Sequence, residues 1–522
     1  MADRDVIIAL DAGTTTLKAV AFAWTGEELA RCSVANLLAY GAGGAVEQDM
    51  EQTWASCLAL LRRLLDGRTD LRGRLAAMAV TGQGDGTWLV DRAGTPVGPA
   101  LTWLDGRAAE TVRDLSPATI RAIEAITGTA LTPSLQSMQL VWLQRHQPER
   151  LARSAAALHC KDWLHFRLTG MLASDLTETM FTYGDAAAGT VDGRVADLLG
   201  IPALNRLVPA LRQPLSDRAA LAGAVARDLS LPDGLPVVLA PIDVVCSALG
   251  AGAIDGTGLH ACSIFGSAGV HLRLAHGFPA VSDPVAGYTT HLASGALSVR
   301  YLSNMAASLN LDWLDDLVAE AAALFHADGA AQKTRPERMA ALDRLAATGR
   351  SSALLYFPYL FPGGERAPFV NPDARAQFVG LRRDHKLADL VVAVYEGIAF
   401  AARDCHLRLG RPPEIRLSGG LARSERFQQI LTDVLGVPTR HCLCEETGAA
   451  GAAMVAAVNL GMFDTLALAG DAWTGSRLTP PRLPDPKRSG TYDTMFELYR
   501  TVATASVPAW SALRQLGEAT RP

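Results

Sequence analysis

Apolar residues in this chain gather in short runs that end abruptly in polar, glycine-rich turns. Val6 to Leu10 lead into Asp11, the turn Gly13-Thr14-Thr15-Thr16 follows, and a second apolar run covers Ala19 to Trp24. Runs of this length flanking a tight turn predict a strand, a hairpin and a strand. The pattern returns at Gly258 to Leu272, where Gly266-Ser267-Ala268-Gly269 separates two apolar runs. Between the two, Leu75 to Val80 predicts a strand that ends in Thr81-Gly82-Gln83-Gly84-Asp85-Gly86, and Pro236 to Ala240 predicts one that delivers Pro241-Ile242-Asp243 to a small-residue helix. A further strand, Ile415 to Ser418, ends in Gly419-Gly420 before a helix running through Leu435.

Helical spacing marks the rest. Trp54, Leu58, Leu61 and Leu65 predict a helix over Gln52 to Leu65, Leu387 to Leu409 predicts a long amphipathic one, and Tyr492 to Leu513 a closing surface helix. Ser308 to Arg350 reads as surface helices, and Ala353 to Leu360 as a strand before the rigid turn Phe361 to Pro368. The Ala/Gly-rich stretch Thr447 to Phe463 carries Asn459 and is too short for a bilayer, which predicts a buried helix.

Two hairpins of one design, one in each half, predict an internally duplicated α/β protein whose domains cover residues 1–248 and 249–522. The length of 522 residues is too great for one ordinary core, so a ligand cleft is expected. With 48 basic and 53 acidic residues interspersed and a net charge of −5, nucleic acid is not an expected partner. The eight cysteines are scattered without paired C-x-x-C sets, and the N-terminus lacks a signal-peptide pattern, so a cytoplasmic setting and no membrane association are expected.

The turns carry the candidate chemistry. A short glycine turn lets backbone N–H groups approach phosphate oxygens, hydroxyls add donors, and a carboxylate at the strand's end holds Mg²⁺ through water, which nominates Asp11, Gly13, Thr14 and Thr15. Asp243, at a strand end before a helix, suits a general base for an alcohol, and equally suits a helix cap. Trp103 beside Asp105 and Arg107 can stack on a polyhydroxylated ligand and read its hydroxyls, or simply start a helix.

Seven stretches taken in order, DAGTTTLKAV, TGQGDG, PIDVVCSALGAG, SIFGSAGV, YLFPGGERAP, LSGGLARSERFQQILTDVLGVP and EETGAAGAA, resemble the FGGY family of carbohydrate kinases over nearly the whole chain. The resemblance implies two actin-like, ribonuclease-H-like α/β domains with ATP and sugar between them. Position by position it implies Asp11 as the Mg²⁺-associated carboxylate, joined by Asp243, and Thr14, Thr15 and Lys18 at the γ-phosphate. It further implies Asp243 as catalytic base, Gly266 and Ser267 as the second phosphate loop, and Gly419, Gly420 and Ser424 as the adenosine site. An actin-like ATP-driven switch shares the hairpins but has no need of Gln83, Asp85, Trp103 and Asp243 together.

The loop after Gln83 speaks to the acceptor. Glycerol kinases place Arg-Glu-Thr there and typical D-xylulokinases Met-His-Gly, whereas this chain has Gly84-Asp85-Gly86, and Ser134 stands where glycerol kinases have a pocket tyrosine. Gly84 is expected to open room for an acceptor larger than glycerol, and Asp85 to favour a neutral polyol over an acid. The stretches Gly44–Asp49 and Thr81–Leu89 are similar to those of the family's erythritol-phosphorylating members, with L-xylulose, another ketose or a pentitol as alternatives. The acceptor site is thus expected to comprise Gln83, Gly84, Asp85, Trp103, Asp105, Ser134 and Asp243, with a second copy of the chain as the expected protein partner.

Overall fold

The computed structural model describes residues 4–201, 204–278, 285–292, 297–324, 334–351, 353–361 and 363–519; Pro362 of the expected turn and residues 325–333 of the expected helical stretch lie outside them. The chain forms two compact, interleaved units: residues 1–259, 274–300 and 444–477 make the first, and 260–273, 301–443 and 478–522 the second. These packing units each draw on more than one stretch of the sequence. The reason lies in small residues. A Cβ on Gly451 would fall 1.8 Å from the Cys246 carbonyl oxygen, and one on Gly250 2.0 Å from that of Thr447, so the helix Thr447–Asn459 lies directly on Asp243–Gly250 of the first unit.

The first unit is built on a six-stranded sheet. The hairpin Val6–Ala12 and Thr16–Ala23 pairs antiparallel, with Asp11 opposite Lys18. Val6–Ala12 runs parallel to Leu75–Gly82, which runs parallel to Pro236–Leu239. The ends of these three neighbouring parallel strands are where open α/β sheets expose ligand-binding loops, and here they carry Asp11 to Thr15, Gln83 to Asp85, and Asp243. Leu10, Leu17, Met78, Val80 and Val237 are fully buried beneath Trp54, Leu61 and Leu65 of the helix Met50–Gly67.

In the second unit the hairpin Ala261–Phe265 and Gly269–His276 is antiparallel, and Ile415–Ser418 pairs parallel to its first strand. The buried helix Leu387–Leu409 packs its Val391, Tyr395, Ile398 and Ala402 against Phe265 and Phe427. The expected strand Ala353–Leu360 shortens to Leu355–Phe357, because Ala353 is left-handed (φ 56°) and Pro358 has no N–H to donate. The closing helix is longer than expected, Pro486–Ala519. Among the described residues no helix is long and apolar enough to cross a membrane.

Candidate active site

In the first unit the hairpin turn is held by side chains that arrive from three directions. Asn36 Nδ2 donates to the Gly13 carbonyl at 2.9 Å, Gln48 Nε2 to the Thr14 carbonyl at 3.0 Å, and Trp103 Nε1 to Thr14 Oγ1 at 2.7 Å. With their carbonyls engaged, Gly13 and Thr14 are fixed in the turn. Gln83 joins the same network by donating Nε2 to Gln48 Oε1 at 2.7 Å. Its own Oε1 is buried and accepts no hydrogen bond among the described residues. A buried carbonyl oxygen left this way asks for a donor.

Charge is concentrated at the strand ends. Burial pushes the Asp11 carboxyl up to about 6, with Lys18 opposing and Glu446 reinforcing the rise. Lys18 itself donates Nζ to Glu446 Oε2 at 2.7 Å. Asp243 is pushed further, to about 8, first by burial and then by the charge of Asp11, with a smaller contribution from Asp85. Asp243 does not cap its helix; Ile242 occupies that position and Asp243 is the first helical residue. Its approach is set by neighbours: Thr81 Oγ1 donates to the Pro241 carbonyl at 2.6 Å, and the Ile242 N–H donates to Thr177 Oγ1 at 2.9 Å.

The carboxyls of Asp11 and Asp243, near enough for the charge of Asp11 to raise Asp243, fit a divalent metal, which would favour their ionised forms. A Cβ on Gly448 would come within 2.5 Å of Asp11 Oδ2, so only a glycine leaves that carboxylate its place. Among the described residues no cluster of three or more His, Cys, Asp or Glu makes a closed metal cage. Two carboxylates in a water-rich shell suit Mg²⁺, which keeps several of its waters.

Two acceptor expectations need correction. The carboxylate of Asp105 is 1 % exposed and fully spent: it accepts from the Val46 N–H at 3.0 Å, from the Arg107 N–H at 3.0 Å, and from Arg107 Nη2 at 2.6 Å. It anchors Arg107, which also pairs with Glu47 and stacks on Trp142, and it has no lone pair left for a ligand. Gly84 does not open a pocket. A Cβ there would lie 1.9 Å from Ile242 Cδ1, so the glycine makes room for the residue that precedes Asp243.

Asp85 and Ser134 do come together, with Ser134 Oγ donating to Asp85 Oδ2 at 2.8 Å. Beneath this loop lies a buried cluster that the motifs did not flag. Lys161 Nζ sits 3.1 Å from Asp162 and 3.2 Å from Asp175, while His159 Nδ1 lies 3.1 Å from Asp162. Asp175 receives Thr177 Oγ1 at 2.8 Å, which ties the ion pairs to the Ile242 backbone. The sequence does not mark this cluster: adjacent Lys161 and Asp162 in the mixed helix Cys160–Thr169 read as solvent-facing, and only the fold buries them.

In the second unit the turn at Gly266 and Ser267 is held by backbone. Ala307 N–H donates to the Ser267 carbonyl at 2.7 Å and Ser308 N–H to that of Gly266 at 3.0 Å. Gly419 is left-handed at φ 94°, and a Cβ would strike the Phe265 carbonyl oxygen at 2.4 Å; Gly420 faces open space. Ser424 is a helix cap: its Oγ accepts from the Phe427 N–H at 3.0 Å and donates to Asp343. The Ser424 hydroxyl is thus already engaged in the helix cap, while Gly419 and Gly420 present bare backbone.

Residues 6–250 match the FGGY family of carbohydrate kinases, N-terminal domain, and residues 262–460 match its C-terminal domain. The erythritol kinase of Brucella abortus (strain 2308) is 38 % identical, covering 98 % of both chains. The xylulose kinase of Escherichia coli (strain K12) is 29 % identical over 96 % of this chain and 99 % of its own. The ligand-bound xylulose kinase structure from Lactobacillus acidophilus superposes with a TM-score of 0.87 at 23 % identity, over 97 % of this chain and 99 % of that one.

Proposed function

We propose, for a chain that belongs to the FGGY family of carbohydrate kinases and is thus an ATP-dependent sugar kinase, that the acceptor is a small neutral polyol, erythritol, phosphorylated on a primary hydroxyl. The observation that carries this reading is the acceptor-only character of the buried surface around Gln83. Among the described residues Gln83 Oε1 accepts no hydrogen bond, and the neighbouring ionisable groups, Asp85, Asp11 and Asp243, are all carboxyls. Such a surface favours hydroxyl groups and repels carboxylates. The 38 % identity to a Brucella abortus erythritol kinase supports the same choice.

Asp243 accepts the proton of the primary hydroxyl as that oxygen forms its bond to the γ-phosphorus of ATP; the bond from phosphorus to the β-γ bridging oxygen breaks and ADP leaves. A raised carboxyl pKa suits a group that must take a proton near neutral pH. Asp11 and Asp243 would hold Mg²⁺, which when bound neutralises phosphate charge. The backbone N–H groups of the Gly13–Thr15 turn, the Thr14 and Thr15 hydroxyls and Lys18 contact the transferred phosphoryl group, with Lys18 exchanging its Glu446 partner for it. Trp103 spends its indole N–H on Thr14 and so presents its ring face to the acceptor's C–H edges. Gly266 and Ser267 of the second unit are assigned to phosphate, and Gly419 with Gly420 to adenosine, where bare backbone admits a flat base. Expected assembly is a homodimer.

Coupled ADP release measured with erythritol, glycerol, L-xylulose and xylitol tests the acceptor. Erythritol is expected to give the highest kcat/KM, and L-xylulose exceeding it would overturn the polyol reading.

A further inference from the structure

Asp85 is one of three described non-glycine residues with positive φ, at 56°. A left-handed backbone at a residue other than glycine persists only where its surroundings enforce it. The enforcement here comes from one side. The Gly86 N–H donates to the Ser134 carbonyl at 3.1 Å, Gln136 Nε2 donates to the Gly86 carbonyl at 3.3 Å, and Ser134 Oγ donates to Asp85 Oδ2 at 2.8 Å.

Ser134 is not the end of the chain of hydroxyls. Thr132 Oγ1 lies 2.8 Å from Ser134 Oγ, and the Tyr288 hydroxyl lies 3.3 Å from Thr132 Oγ1 and 3.4 Å from Ser134 Oγ. All three residues are buried. A carboxylate oxygen only accepts, so Ser134 must give its proton to Asp85 and is left to receive. Thr132 therefore donates to Ser134, and Tyr288 donates into the Thr132–Ser134 pair. The Asp85 carboxylate thereby sets the sense of the hydroxyl contacts nearest to it.

Tyr288 is rigidly placed for this. It opens the strand Tyr288–Leu292, which is sewn to residues 128–130: Ala130 N–H donates to the Gly287 carbonyl at 2.9 Å, Thr289 N–H to Thr129 Oγ1 at 3.1 Å, and Thr289 Oγ1 to the Gly128 carbonyl at 2.7 Å. We propose that Tyr288 is a positioning residue for acceptor recognition, acting through the one-way hydroxyl relay Tyr288–Thr132–Ser134 that aims the Asp85 carboxylate. This rests on the reading of Asp85 as an acceptor contact.

The test is steady-state kinetics on Tyr288→Phe, Thr132→Val and Asp85→Ala, alone and with Tyr288→Phe added to Asp85→Ala. Tyr288→Phe, which keeps the ring and loses the hydroxyl, is expected to raise the KM for erythritol about three- to tenfold, the worth of one hydrogen bond. Its kcat and its KM for ATP should stay within twofold of the parent, and Thr132→Val should behave alike. In the Asp85→Ala background Tyr288→Phe should add nothing, since the relay has lost its end point. A purely structural tyrosine would move both KM values and act additively with Asp85→Ala. An erythritol KM unchanged in Tyr288→Phe but raised in Asp85→Ala overturns the relay and leaves the acceptor site standing. An unchanged KM in Asp85→Ala overturns the acceptor reading, and the relay with it.

Discussion

The two hairpins share a turn design and differ in what holds them. In the first unit the turn at Gly13 to Thr15 is fixed by side chains, Asn36, Gln48 and Trp103, and one of these, Gln48, also accepts from Gln83. In the second unit the turn at Gly266 and Ser267 is fixed by main-chain N–H groups of Ala307 and Ser308. That main chain is itself set by Glu365, whose Oε1 accepts from the N–H groups of Met305 at 3.0 Å and Arg366 at 2.9 Å. A turn held by side chains can shift when those side chains do. One held by backbone is a fixed cradle. The carboxylates divide the same way, since Asp11, Asp85 and Asp243 all lie in the first unit and put its chemistry there.

Asp243→Asn breaks the comparison most severely. Removing the base is expected to lower kcat by roughly 10²- to 10⁴-fold while leaving nucleotide binding in place, measured by coupled ADP release and by ATP titration; a near-normal kcat would remove Asp243 from the role. Stability should move the other way. Because the folded carboxyl is raised from 3.8 to about 8, the native state binds the proton more tightly than the unfolded chain does. The contribution of this group is thus complete below about pH 4 and is lost as pH rises through about 8. Asn carries no such loss, so the variant should melt above the parent by a margin that grows between those two pH values.

Glu365 sharpens the comparison from the other unit. Burial pushes its carboxyl up to about 8, so at neutral pH it is a neutral hydrogen-bonding group anchored by backbone N–H donors. Glu365→Gln should be nearly silent. Glu365→Ala leaves those N–H groups buried and unpaired, at about 1–3 kcal/mol for each, and should lower Tm and raise the KM for ATP several-fold with the erythritol KM unchanged. A rise in the erythritol KM instead would mean that the second cradle is coupled to the acceptor after all.

Both hairpins, the strand-end loops and the buried helix after Thr447 were legible because each is a short apolar run ended by residues with one local use. The interleaving of the units was not legible, since it depends on Gly250 and Gly451 facing each other across helices far apart in sequence. Asp105 misled for a related reason: a carboxylate beside a tryptophan looks the same in sequence whether a ligand or Arg107 fills it. Gly84 taught the converse, as a missing side chain is space only if no neighbour such as Ile242 takes it. Tyr288 gave no local signal at all, because a relay is defined by which side chains meet.

The smallest expected effect separates structure from recognition at the nucleotide end. Ser424 caps the helix Glu425–Leu435, accepting from the Phe427 N–H, and gives its own proton to Asp343, which also receives the Tyr395 hydroxyl at 3.0 Å. Ser424→Ala removes the cap and should cost about 1 kcal/mol, seen as a drop of a few degrees in Tm, while Ser424→Asp keeps a capping oxygen and sets it against Asp343. If Ser424 serves the helix alone, the KM for ATP stays within twofold in Ser424→Ala, and the adenosine contact falls to the backbone of Gly419 and Gly420. A large rise in that KM without a matching loss of stability would instead return Ser424 to the nucleotide site, making the second unit a reader of side-chain chemistry like the first.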